Sequence, residues 1–147
     1  MIRAASIGLG WWGKTLANSI VNSDKIKVTM ATTKTLNNIE DYCKEIGAEI
    51  AKDYDAVINN PDIDAVILAT PHSQHLQQIV QAVNNGKHVF VEKPITLTPG
   101  DAEIAYKEAK KNNRVLAVGF NRRFHPNFIK IQEMINSNEL GKVIHIE

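Results

Sequence analysis

Apolar runs of strand length alternate along this chain with segments of helical period, and no repeat or low-complexity stretch interrupts them. Five runs read as strands: Ile2 to Ile7, Ile26 to Ala31, Ala65 to Thr70, His88 to Val91 and Val115 to Val118. A strand covered on both faces is apolar at every position rather than at alternate ones, and "DAVILAT" and "HVFVE" have that character. Between them, Leu76, Ile79, Val80 and Val83 mark one face of a helix, with Gln74, Gln77, Gln78 and Gln81 opposite. Leu36, Ile39, Tyr42, Cys43 and Ile46 make a second such stripe, which places Cys43 in the core. Strands alternating with helices predict an α/β chain, a doubly wound parallel sheet with helices on both faces.

The helix punctuation agrees with the periodicity. Thr98, Pro99 and Asp101 supply an N-cap, a proline where its missing N–H costs nothing, and an acid near the positive helix end. Gly47 and Gly86 stand where two helices should stop. After the fifth strand come a loop "GFNRRFHP", a helix from Pro126 to Ile135, a turn "NELG" and an alternating run "KVIHIE". That last run reads as the opening strand of another sheet. The expected organisation is therefore one domain over residues 1–120, with 121–147 as a connecting helix and the first strand of a truncated second α/β domain.

A domain of 147 residues buries roughly 70% of the surface its unfolded chain exposes, enough for a substantial core. Seventeen basic and sixteen acidic residues are scattered along the chain, leaving a net charge of +1 without a basic block. Nucleic acid and membrane surfaces are therefore not the expected partners. The single cysteine, Cys43, allows no internal disulfide and fits a reducing compartment. No apolar segment with a cleavage site opens the chain, and runs such as "AVILA" are too short to span a bilayer. A soluble, cytoplasmic protein is the expectation.

Directly after the first strand stands "GLGWWG", Gly8, Leu9, Gly10, Trp11, Trp12 and Gly13. In a dinucleotide-binding turn the first glycine permits the tight bend, the second lets backbone approach a pyrophosphate, and the third lets helix and strand pack closely. The N–H groups at the helix start favour an anion there. A plain strand-to-helix turn and the glycine-rich turn of S-adenosylmethionine-dependent methyltransferases are the other readings. Trp12 and Leu16 are one helical turn apart, which assigns Trp12 to the core and points Trp11 toward ligand or solvent. Where a turn for NAD carries an acid at the end of the second strand, this chain has Thr32, Thr33 and Lys34. Hydroxyls and a lysine can donate to the 2′-phosphate of NADP, each charge-assisted bond contributing roughly 1.5 to 3 kcal/mol. The expected cofactor is NADP, with NAD the alternative if these residues form an ordinary solvated loop.

Two more turns at carboxyl ends of strands carry chemistry: "TPHSQH", with Thr70, Pro71, His72 and His75, and "EKP", with Glu92, Lys93 and Pro94. Ligands bind open parallel sheets at this edge, where Lys93 is the lysine placed to give or take a proton. A charged strand end is the plainer reading of "EKP". His72 and His75 lack further cysteine or acidic partners at metal-ligand spacing, so no metal is expected.

Together, "GLGWWG", "ATPHSQH", "VFVEKPITLT" and "VGFNRRFHP" resemble, in order and spacing, the N-terminal half of the glucose-fructose oxidoreductase, inositol dehydrogenase and MocA family. The resemblance covers nearly the whole chain. It implies a Rossmann domain followed by an α/β substrate domain that usually forms the oligomer contact, hence a homo-oligomer for the full-length protein. It further implies that Lys93 sits by nicotinamide and substrate and assists proton movement, often preceding a cis proline bond. Thr70, Pro71, His72 and His75 would line the cofactor, Glu92 would lie near the nicotinamide ribose, and Asn121 and Arg122 beside the nicotinamide. The function so implied is an NAD(P)-dependent oxidoreductase acting on a sugar, cyclitol or related polyol, with a nucleotide-binding regulatory or scaffolding protein as the alternative. The family's further catalytic residues belong to the second domain, beyond Glu147.

Overall fold

The computed structural model describes residues 1–35 and 39–145. They form a parallel sheet of six strands, β1 (Ile2–Ile7), β2 (Ile26–Thr32), β3 (Glu49–Ile50), β4 (Ala65–Leu68), β5 (His88–Val91) and β6 (Leu116–Val118). The spatial order is β3-β2-β1-β4-β5-β6. The helices are α1 (Trp11–Ser19), α2 (Glu40–Ile46), α3 (Tyr54–Ile58), α4 (His72–Asn84), α5 (Pro99–Lys111) and α6 (Pro126–Asn136), with a short 3-10 helix over Asn121–Phe124. The chain winds outward from β1 to one edge, then crosses back to β4 and winds to the other. This reversal opens a crevice between the carboxyl ends of β1 and β4.

The continuous apolar strands serve two cores at once. Ala4 and Ile67 face one side with Ala17 of α1, whereas Ala5, Val66 and Leu68 face the other with Ile79, Ala82 and Val83 of α4. Ala105 and Ala109 of α5 complete this second layer. Each large aliphatic side chain removed from water contributes roughly 1.5–3 kcal/mol before chain entropy is counted. Cys43 is buried with Leu9, Ala31 and Ile39, as its stripe predicts, while Leu36 lies outside the described residues. Thr98 Oγ1 accepts from the Asp101 N–H at 3.2 Å, and Gly47 and Gly86 follow their helices in left-handed conformations.

The structure departs from the sequence reading at several ends. β2 runs one residue further, to Thr32, whose carbonyl accepts from the Gly8 N–H at 2.9 Å. β4 stops at Leu68 and β6 starts at Leu116. Strand β3 was not expected from the pattern: two exposed residues at the sheet edge, one charged and one apolar, are too short a run to show a period, and pairing with Met30 and Ala31 makes them a strand. Residues 142–145 of the alternating "KVIHIE" run form no strand, because no strand of the described residues lies beside them to pair, and Ile144 is 89% exposed. Residues 146 and 147 lie outside the described residues. Among the described residues, no helix is long and apolar enough to cross a membrane.

Candidate cofactor and active site

At the crevice, the turn after β1 and the turn after β4 touch. Gly8 has φ +88°, and a Cβ placed there would stand 2.6 Å from the Ala69 carbonyl oxygen. A side chain at Gly13 would in turn overlap the Gly8 carbonyl. Among the described residues, no atom lies within 4 Å of where a Cβ at Gly10, the N-cap of α1, would be, and no side chain caps the helix. The first N–H groups of α1 lack intrahelical partners, and the positive helix end lies behind them.

Two cavities flank this turn and share Ala69 and Thr70. The first, of about 490 Å³, is lined by Trp11 and Trp12, by His72 at the start of α4, by Glu92 and Lys93 after β5, and by Asn121 and Arg122 after β6. Residues from three strand ends, those of β4, β5 and β6, and from the starts of α1 and α4 converge there. Glu92 is buried; its Oε2 accepts from the Lys93 backbone N–H at 3.1 Å. Its carboxylate lies against Gly119, where a Cβ would come within 2.6 Å of Oε1. The Lys93–Pro94 peptide is cis, as the resemblance implies.

The second cavity, of about 590 Å³, lies on the other side of the turn, with Gly8, Gly10, Thr32, Thr33 and Lys34 along one wall and Pro71 along another. Lys52, Asp53, Tyr54, Gln74 and Gln78 also line it, and none of these was singled out from the sequence. The signal was faint: they follow the two-residue β3 or lie on the polar face of α4. Asp53 is engaged in capping α3, its Oδ1 accepting from the Ala56 N–H at 2.7 Å. Tyr54 donates to the Gln78 carbonyl at 2.6 Å, and burial, reinforced by Asp55, raises its phenol above the ordinary range. Thr70 Oγ1 donates to Gln78 Oε1 at 2.5 Å, which fixes the wall common to both cavities.

Three of the sequence-derived site residues line neither cavity. Leu9 turns its side chain into the core, Gly13 serves helix packing, and His75 is wholly buried behind the wall. Trp12, expected in the core with Leu16, instead borders the first cavity: it belongs to the first turn of α1 and packs in neither core layer, whereas Gly13 and Ala17 are the buried residues of that helix. Its ring lies 5.3 Å from that of Trp11, which is 79% exposed, and its own Nε1–H is buried without a hydrogen-bond partner among the described residues.

A doubly wound sheet whose glycine turn divides a two-part cleft at the β1/β4 reversal defines a nucleotide-binding Rossmann domain. The chain belongs to the glucose-fructose oxidoreductase, inositol dehydrogenase and MocA family, whose model, described as an oxidoreductase family with an NAD-binding Rossmann fold, matches residues 2–120. It is 36% identical over 146 residues to a scyllo-inositol 2-dehydrogenase (NAD(+)) of Bacillus subtilis (strain 168), covering 98% of this chain and 43% of that protein. A crystal structure of scyllo-inositol dehydrogenase from Lactobacillus casei, with NAD(H) and scyllo-inositol bound, superposes with a TM-score of 0.89 at 33% identity, over 97% of this chain and 43% of that one. A 3-ketoreductase from Actinomadura kijaniata, in complex with TDP-benzene and NADP, gives 0.87 at 25% identity, over 93% and 44% of the two chains. The chain thus spans less than half the length of these relatives.

Proposed function

We propose that this chain is the cofactor half of an NADP(H)-dependent oxidoreductase acting on a carbinol or carbonyl carbon of a cyclitol, sugar or related polyol. Residues 1–120 form the dinucleotide domain and 121–147 lead into a substrate domain, through which the cytoplasmic protein assembles as a homo-oligomer. One observation carries the reading: two cavities meet at an uncapped helix start, one holding Lys93 and Glu92, the other Thr33 and Lys34. A dinucleotide has this shape, two nucleoside ends joined by a diphosphate. The open approach at Gly10 and the free N–H groups of α1 fit the diphosphate.

When bound, the nicotinamide supplies the hydride chemistry. The chain's own residues do the rest. Thr32, Thr33 and Lys34 take the adenosine 2′-phosphate, Thr70 and Pro71 line the wall between the two ends, and Trp11 and Trp12 shield the first cavity from water. Glu92 accepts from a ribose hydroxyl, and Asn121 and Arg122 close the far side. Lys93 Nζ holds the substrate hydroxyl and moves its proton. The inositol dehydrogenases among the relatives favour a cyclitol over other polyols.

Titration with both reduced cofactors tests the 2′-phosphate assignment, with Trp11 as the fluorescent reporter. NADPH is expected to bind at least about tenfold more tightly than NADH, and Lys34→Glu to abolish the difference, since a bond to a charged group contributes roughly 1.5 to 3 kcal/mol. Equal or tighter NADH binding by the unaltered protein overturns the preference. Gly119→Ala probes the other end. The added methyl pushes aside the Glu92 carboxylate, the end of a flexible side chain, so the same titration should show affinity weakened about tenfold by the lost hydrogen bond to a charged group; unchanged affinity would separate Glu92 from cofactor binding.

A further inference from the structure

His75 lies between the two turns that carry the site. It is 0% exposed, and each ring nitrogen faces a backbone carbonyl: Nδ1 stands 3.0 Å from the Pro94 oxygen and Nε2 3.0 Å from the Thr70 oxygen. Thr70 belongs to the wall shared by both cavities, and Pro94 directly follows Lys93. One imidazole therefore spans from the turn after β4 to the turn after β5. Among the described residues, no other side-chain hydrogen bond joins these two turns. Carbonyl oxygens only accept, so whichever ring nitrogen carries the N–H has an acceptor waiting on one of the two turns, and both nitrogens face inward rather than to the cavity. His72, one turn earlier on α4, packs edge-on at 5.5 Å between ring centroids and is the histidine that reaches the cavity.

We propose that His75 is a positioning residue: it holds the Lys93–Pro94 backbone against the Thr70 wall and thereby sets where the Lys93 amine stands. The proposal rests on the oxidoreductase reading of Lys93. Its energetic logic is that of any preorganised site, in which a displacement of about 1 Å at the reacting group can cost 10²-fold in rate. Ile79, one turn on from His75 in α4, is likewise at 0% exposure and belongs to the core layer. The anchor is thus tied to the core rather than to a mobile surface.

A histidine that only filled the core would alter stability, cofactor affinity and turnover together. A positioning residue alters turnover selectively and acts through Lys93. In the full-length protein, His75→Leu removes the polar ring, and His75→Gln restores a donor. The first is expected to lower kcat by about 10- to 100-fold with the NADPH Kd changed less than about threefold, and the second to recover part of the loss. In a Lys93→Ala background, His75→Leu is expected to lower kcat no further, because residues acting as a unit are not additive. Independent, additive losses, parallel falls in kcat and affinity, or no change would each overturn the proposal. If Lys93→Ala alone leaves turnover intact, the reading of Lys93 fails instead, which the same experiment shows separately. Should neither His75 variant fold, nitrogen NMR of the unaltered protein decides: a ring N–H of His75 protected from solvent exchange is expected, and one exchanging as fast as that of His72 overturns the brace.

Discussion

Lys93→Ala in the full-length protein is expected to lower kcat by roughly 10²- to 10⁴-fold, the range for loss of a positioned proton-transfer group, while NADPH binds within about threefold of its normal affinity. Lys93 stands at the end of an otherwise apolar strand, on the wall of the cavity that also holds Glu92, Asn121 and Arg122. Among the described residues, only its backbone N–H is engaged, with Glu92 Oε2. Truncation beyond Cβ therefore removes an amine from the cavity without breaking a contact that holds the fold. Arginine would not substitute, because the guanidinium keeps its proton at any working pH. Steady-state kinetics with a fluorescence titration on the same samples checks both halves of the expectation. Near-normal turnover would take Lys93 out of the mechanism.

The other large effect is expected at Gly13. Its Cβ position is occupied by the Gly8 carbonyl, a backbone atom, and Gly8 is itself held at φ +88° against the Ala69 carbonyl. The strain of Gly13→Ala has no flexible neighbour to absorb it. Overpacking of this kind costs about 1–3 kcal/mol, enough to lower Tm by several degrees in a domain of this size. Because the displaced turn is the one that carries the helix N–H groups, dinucleotide binding should fall about tenfold or more with it. Gly10→Ala is the internal control. With no described residue within 4 Å of the added methyl, Tm should hold while binding weakens. Thermal denaturation and titration of the two variants side by side separate the packing glycine from the ligand-facing one. Equal Tm values would show that α1 can shift to accommodate Gly13→Ala.

The alternation of strands and helices was readable because both cores impose their periods locally. Val66 and Leu68 face one layer and Ile67 the other, so the strand had to be apolar throughout, and Ile79 and Val83 had to fall on one helix face. The glycine turn was equally plain, since φ beyond +20° at Gly8 and the close approach at Gly13 exclude other residue types. By contrast, β3 was invisible: Glu49 and Ile50 are defined by their neighbour, Ala51 donating to the Ala31 carbonyl at 2.8 Å, and not by their own character. Lys52, Asp53 and Tyr54 escaped notice for the same reason, since it is β3 that delivers them to the second cavity.

The sequence by itself determined the fold class, the nucleotide-binding turn and the family, along with the strand ends that carry Thr70, Glu92 and Lys93. These depend on hydrophobic period and on backbone conformations only glycine or proline permits, which are properties of neighbouring residues. Only the tertiary structure decided that Trp12 borders a cavity rather than the core, that His75 turns both nitrogens inward, and that Gly119 makes room for the Glu92 carboxylate. Each of those outcomes depends on which strand ends meet across the sheet, a long-range relation that no local pattern encodes.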